Sequence, residues 1–253
     1  MKKIFGIVII YIAFFGVTNI DALESKNDYK INQGGGEEAY LYNKHLSEKK
    51  YNEILKSQRF SAISTNQNIA RGGQTYYSIG ADYPIYHQEL NYYCGPAVVK
   101  QAIQWITGSS NSQSYYANQM GTNENDGTIV YNLTVNGINA NQNTWVYGYT
   151  YVPNLDSREA LWNIVVQNIT VDHIPVIVHA SLEDLYMYNG QPGGHYITLV
   201  AYTVDHLSDY YNIFHYVDTF SANYGFGNTF GIQDISYYDL YDSLNNRGRY
   251  IIW

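Results

Sequence analysis

The sequence contains a single cysteine, Cys94, among its 253 residues. An intramolecular disulfide is therefore excluded, and packing has to stabilise the fold, for which an apolar content of 45% is sufficient. A lone cysteine leaves three interpretations open: a small apolar core residue, an intermolecular bridge or a reactive thiol. Only its neighbours can decide among them.

Basic residues are scarce over most of the chain. Residues 24–71 carry eight Lys or Arg and six Asp or Glu, whereas residues 72–253 carry only four Lys or Arg against fifteen Asp or Glu. A surface with this excess of negative charge repels phosphate backbones, so we expect no nucleic-acid partner. It favours partners that carry cationic groups, through long-range attraction.

Metal-binding motifs are missing as well. The seven histidines and the cysteine form no H-x-x-H, H-E-x-x-H or C-x-x-C spacing. We therefore expect neither a metal ion nor an organic cofactor.

Long apolar runs are confined to the N-terminus. Two lysines precede an apolar run of about 14 residues, a layout typical of a secretory signal peptide. We predict a signal peptide over residues 1–22, cleaved near Ala22, and a secreted or cell-surface protein. Polar residues stop the run short of the ~20 residues that a spanning helix needs, although an uncleaved anchor is the alternative. No later run approaches this length, so we expect no stable membrane insertion after signal removal.

Residues 23–73 have the composition of a linker or pro-segment. They are polar, contain the run GGGEE and predict one helix around Glu38–Ser57. In one interpretation the segment is a solvated spacer. In the other, its mild positive charge lets it dock on the acidic body as an intramolecular pro-segment and block a cleft until it is removed.

Residues 74–253 form the predicted domain, which contains most of the 29 tyrosines and has turns rich in Gly, Asn and Ser. Apolar periodicity predicts helices over Cys94–Thr107, over Gly127–Asn139 and from an Asp156 cap onward, and strands over Val176–Ala180, His195–Val204, Tyr211–Thr219 and Tyr250–Trp253. Helices come first and strands last. This order indicates an α+β domain with N-terminal helices packed on an antiparallel sheet.

Cys94 stands at the start of its predicted helix. Unpaired backbone N–H groups and the helix dipole stabilise a thiolate at that position. Gly95 lets a substrate carbonyl approach the backbone, and Pro96 suits the first helical turn. The Cys94 N–H is then placed to hold an oxyanion. This setting favours the reactive-thiol interpretation.

His195 is the candidate base for that thiol. It follows the run QPGG and opens the predicted strand HYITLVAYT. The run DHLSD predicts a hairpin, which would bring Asp218, at the end of the next strand, back beside His195. A carboxylate there fixes the imidazole tautomer and stabilises the imidazolium.

The stretches HQELNYYCGPAVVKQAIQWITG and PVIVHA…GGHYITLVAYT…YVDTF resemble the C39-like papain-fold cysteine peptidases of bacteria. The resemblance runs from residue 83 to residue 220. It implies a papain-like cysteine peptidase fold, a nucleophile at Cys94, a base at His195, an orienting carboxylate at Asp218 and an oxyanion-hole glutamine at Gln88. The family often has a proline directly after this aspartate, where this chain has a threonine.

The resemblance implies a secreted bacterial enzyme that hydrolyses amide bonds of a peptide or protein substrate through a thioester acyl-enzyme. One alternative is a peptidoglycan-directed amidase or endopeptidase, and another is a non-catalytic binding module with a tyrosine-lined groove. One branch of the family cleaves leader peptides after Gly-Gly. Gly72 and Gly73, just ahead of the predicted domain, are therefore a candidate self-cleavage site.

Overall fold

The computed structural model describes Lys49 and residues 73–142, 149–153, 155–220, 229–246 and 250–253. The predicted signal peptide lies outside the described residues. So does the predicted linker or pro-segment, apart from Lys49, which is helical, and Gly73.

Five α-helices are described. They are α1 (Cys94–Thr107), α2 (Gln113–Met120), α3 (Val130–Asn132), α4 (Arg158–Val166) and α5 (Tyr237–Asn246). The helix α3 continues as the π-helical segment Leu133–Asn139, and α4 continues as the π-helical segment Gln167–Asp172. Short 3₁₀ turns cover Leu182–Asp184, Tyr186–Tyr188 and Asp209–Tyr211.

Seven strands form one antiparallel sheet. They are β1 (Gln74–Ser78), β2 (Tyr151–Pro153), β3 (Val176–Ser181), β4 (Gly194–Asp205), β5 (Ile213–Asp218), β6 (Gly231–Ser236) and β7 (Tyr250–Ile252). The strand order is β2-β7-β3-β4-β5-β6, and β1 pairs with the C-terminal half of β4. The long strand β4 is therefore the centre of the sheet, and its first residues lie beside the end of β3.

Side chains alternate between the two faces of this sheet, as the pleat of a strand dictates. Val176 and Val178 of β3 belong to one apolar cluster, which also contains Leu161 and Ile164 of α4. Ile177, between them, belongs to a second cluster with the buried face of α1. Helices consequently pack against both faces, and this confirms the predicted α+β class.

Most of the predicted elements are present. The helix Cys94–Thr107 has the predicted bounds and ends at Gly108, whose φ of 79° is the left-handed conformation that glycine adopts readily. The four predicted strands correspond to β3, β4, β5 and β7, with ends that differ from the predicted ones by at most two residues. The predicted hairpin joins β4 to β5, since Thr203 lies opposite Ile213.

The predicted Asp156 cap is wrong by one residue. Ser157 caps α4, because its side chain accepts a hydrogen bond from the N–H of Ala160 at 3.2 Å. The Gly127–Asn139 prediction is confirmed from Val130 onward, where the helix begins. Among the elements that the pattern missed are β1, β6, α2 and α5.

Within the described residues, none of the helices combines the length and apolar character needed to cross a membrane.

Candidate active site

Cys94 is the first residue of α1 and is partly buried. The helix has no side-chain cap, and its first intrahelical bond runs from the Ala97 N–H to the Tyr93 carbonyl at 2.9 Å. The backbone N–H of Gly95, in the first turn, and that of Tyr196 on β4 hydrogen-bond the Cys94 sulfur. The helix start thus supplies the donors that a thiolate needs.

Gly95 is required at its position by a close contact with Thr128. A Cβ atom on residue 95 would lie 2.3 Å from the Thr128 hydroxyl oxygen and 2.6 Å from its Cβ. Thr128 cannot easily move, because its hydroxyl bonds Thr122 at 2.8 Å and its carbonyl accepts from the Tyr196 hydroxyl at 2.8 Å. This contact fixes the start of α1 against the segment that precedes α3.

His195 is the second residue of β4, one position later than predicted, and lies opposite Ala180 of β3. Its imidazole is only 2% exposed. The Nε2 atom donates to Asp218 Oδ1 at 2.9 Å, and the ring also hydrogen-bonds the Cys94 thiol. Because Nε2 is engaged by the carboxylate, Nδ1 is the nitrogen left for the sulfur.

Asp218 is the last residue of β5 and is fully buried. Thr198 of β4 lies opposite Val217, so the end of β5 meets the beginning of β4, as the antiparallel hairpin predicts. Oδ1 also accepts the Phe220 N–H at 2.9 Å. Cys94, His195 and Asp218 are therefore joined in one hydrogen-bonded chain.

The three groups shift one another's pKa values. Burial acts to raise the pKa of the Cys94 thiol, but hydrogen bonding and attraction to His195 outweigh it, so the pKa is lowered. Burial acts to lower the pKa of His195, but Asp218 and Cys94 outweigh it and raise the pKa well above its ordinary value. Burial likewise acts to raise the pKa of Asp218, and His195 lowers it. All three shifts favour a thiolate, an imidazolium and a carboxylate.

Gln88 is buried, but its side-chain amide already makes hydrogen bonds within the protein. Nε2 donates to the carbonyls of Leu90 at 2.9 Å and Asn91 at 3.0 Å, while Oε1 accepts from the Thr219 hydroxyl at 3.2 Å. The Gln88 N–H also donates to the Thr219 carbonyl at 2.8 Å. The threonine that follows Asp218 thus ties Gln88 to the end of β5. The oxyanion role of Gln88 stays a prediction. It requires one of the two Nε2 protons, which now bond the carbonyls of Leu90 and Asn91, to be shared with the oxyanion.

The sequence pattern missed Tyr188 at this site. Tyr188 is 1% exposed, and its hydroxyl donates to Asp218 Oδ2 at 2.7 Å and lies 3.3 Å from His195 Nε2. A tyrosine in a chain with 29 of them gives no signal of its own.

Gly73 lies directly before β1, far from these residues. Gln74 pairs with Asp205 at the end of β4 opposite to His195. Ten residues of strand separate the two positions, which is roughly 30 Å. Cleavage after Gly73 within the same folded molecule would therefore require β1 to leave the sheet.

The described residues contain no group of three or more His, Cys, Asp or Glu side chains placed to hold a metal ion.

Three solved structures show some similarity to this chain. The peptidase domain of Streptococcus ComA, a bi-functional ABC transporter involved in a quorum sensing pathway, is 17% identical, with a TM-score of 0.41, and the match covers 67% of this chain and 96% of that chain. The Amb a 11 cysteine protease of ragweed pollen, in its proform, is 14% identical, with a TM-score of 0.47, and the match covers 74% of this chain and 66% of that chain. The bromelain protease of Ananas comosus, in complex with the E64 inhibitor, is 12% identical, with a TM-score of 0.46, and the match covers 70% of this chain and 97% of that chain.

No curated protein matches the sequence significantly. The profile of the Peptidase_C39 like family, in contrast, matches residues 81–241, which is more than half of the chain. The matched range includes Cys94, His195 and Asp218. The chain therefore belongs to the Peptidase_C39 like family and is a cysteine peptidase of that family.

Proposed function

We propose that the protein hydrolyses peptide amide bonds with a Cys94–His195–Asp218 triad and a covalent thioester intermediate. The observation that carries this proposal is the buried His195 imidazole, whose Nε2 bonds Asp218 and whose interaction with the Cys94 thiol lowers the pKa of the thiol. The pKa shifts of all three groups support the ionised pair that nucleophilic attack by sulfur needs.

The proposed reaction has two halves. The Cys94 thiolate attacks the scissile carbonyl carbon and forms a C–S bond, and the carbonyl electrons move to the oxygen. When the oxyanion collapses, the C–N bond breaks and the His195 imidazolium gives its proton to the leaving amine. Neutral His195 then takes a proton from water, the hydroxide attacks the thioester carbonyl, and the thiolate is released.

The oxyanion is held first by the backbone N–H of Cys94. This group lies ahead of the first helical hydrogen bond and at the positive end of α1. Gln88 is the proposed second donor. Its Nε2 bonds hold the loop that leads into Cys94, and an oxyanion can share one of the two protons.

Replacing Gln88 with alanine is expected to lower kcat about 10²-fold with little change in KM, because an oxyanion donor acts in the transition state. The measurement is steady-state cleavage of a fluorogenic peptide. Gln101→Ala is the matched control, since Gln101 is also a buried glutamine bonded to a backbone carbonyl, that of Tyr86. Equal losses in the two variants would assign Gln88 to loop structure alone.

Peptide profiling tests the proposed function itself. The chain from residue 74 onward is incubated with a mixture of unstructured peptides and with purified peptidoglycan, and new termini are identified by mass spectrometry. Cleavage within the peptides supports the proposed peptidase activity. Release of fragments from peptidoglycan, without cleavage of the peptides, would favour the cell-wall alternative. No cleavage of either substrate would favour a binding module.

We further propose that the protein is exported, with residues 1–22 as signal peptide and residues 23–73 as linker or pro-segment. The support is the lysine-led apolar run and the polar, mildly basic composition that follows it. N-terminal sequencing of protein from the culture medium tests this. A start at Met1 would contradict it.

A further inference from the structure

Tyr188 is buried, and its hydroxyl lies beside both His195 and Asp218. It ends the 3₁₀ turn Tyr186–Tyr188 in the connection between β3 and β4. Its hydroxyl donates to Asp218 Oδ2 at 2.7 Å and lies 3.4 Å from the Thr229 hydroxyl. The Tyr188 ring makes an edge contact with Phe220, and Phe220 makes another with His195.

The two oxygens of Asp218 have different partners. Oδ1 accepts from His195 Nε2 and from the Phe220 N–H, both at 2.9 Å. Oδ2 accepts from Tyr188. Because Asp218 is fully buried, water cannot replace a lost donor at Oδ2. Rotation of the carboxylate plane would therefore disrupt hydrogen bonds at both oxygens.

We propose that Tyr188 is a positioning residue whose hydroxyl holds the Asp218 carboxylate in the one orientation that fixes His195 through Nε2 and leaves Nδ1 to the thiol. This inference rests on the proposed function, since it concerns the same triad. Tyr188 remains a donor at working pH, because burial and the neighbouring Asp218 raise the pKa of its hydroxyl far above the usual range.

The test replaces Tyr188 with phenylalanine in the full chain, which removes the hydroxyl and keeps the ring against Phe220. The control is Tyr202→Phe. Tyr202 is a buried tyrosine whose hydroxyl bonds Thr170 at 2.6 Å, and it lies seven residues from His195 along β4. Both variants lose a tyrosine hydroxyl that is hydrogen-bonded within the protein, so thermal unfolding serves to compare their stability.

The first readout needs no substrate. The Nε2 proton of His195, observed by NMR with ¹⁵N-labelled histidine, is expected to be sharp and far downfield in the wild type and in Tyr202→Phe. In Tyr188→Phe it is expected to broaden through exchange, because the carboxylate that holds it is no longer fixed. An unchanged resonance in Tyr188→Phe, or equal broadening in both variants, would overturn the inference.

The second readout is turnover of a fluorogenic peptide that the wild type cleaves. In Tyr188→Phe, kcat is expected to fall about 10-fold with KM unchanged, the equivalent of one hydrogen bond to a charged group. An unchanged kcat would also overturn the inference. If the wild type cleaves no peptide but the resonance broadens as expected, the proposed function fails and the positioning of His195 by Tyr188 stands.

Discussion

Replacing Cys94 with alanine is expected to abolish peptide hydrolysis, with a fall in kcat of about 10⁴-fold or more. The sulfur is the only group in the described site that can form the thioester, and Cys94 is the only cysteine in the chain. His195 and the backbone donors remain in the variant, but they have no nucleophile to act with. Turnover of a fluorogenic peptide, with parallel thermal unfolding, is the measurement.

The folded state should tolerate this change. Cys94 is partly buried and its side chain is small, so the alanine variant is expected to unfold within a few degrees of the wild type. A folded Cys94→Ala protein that retains wild-type turnover would show that another residue carries the reaction.

Replacing His195 with glutamine is expected to lower kcat by about 10³-fold, since the general base and the partner of the thiolate are lost together. Glutamine is chosen because its amide can still donate to Asp218 and limits the cost of leaving a buried carboxylate without a partner. Peptide turnover at pH 6 and pH 8 measures the effect.

His206→Gln is the control for this substitution. His206 is an exposed histidine in the β4–β5 hairpin that bonds the Thr75 hydroxyl at 2.7 Å, at the end of β4 away from the triad. Its turnover should equal that of the wild type. If His195→Gln behaved like His206→Gln, the imidazole in the triad would have no catalytic part.

Local signals made part of the site predictable from the sequence. The apolar spacing after Cys94, Pro96 in the first turn and Gly108 at the end together specify α1, which is why its bounds were predicted correctly. The turn composition of residues 205–209 specifies the hairpin, and antiparallel geometry then brings His195 and Asp218 together. Each of these steps depends on neighbours along the chain.

The missed parts depend on contacts between distant residues. Tyr188 reaches Asp218 across 30 positions, and Thr219 reaches Gln88 across 131 positions. A tyrosine or a threonine in the sequence does not indicate such a distant partner. Strands β1 and β6 were missed for a related reason: QTYYS and GIQDIS are short, partly exposed segments, and their pairing with β4 and β5 defines them more than their apolar content does.

The measurement that tests the central claim most directly is the rate of Cys94 alkylation by iodoacetamide as a function of pH. The lowered pKa of the thiol and the raised pKa of His195 predict fast alkylation that extends well below pH 8, where an ordinary thiol with a pKa of ~8.5 is mostly protonated. In His195→Gln the rise in rate should move to higher pH, because the thiolate loses its imidazolium partner. A wild-type profile with one rise near pH ~8.5, unaltered in His195→Gln, would contradict the thiolate–imidazolium pair.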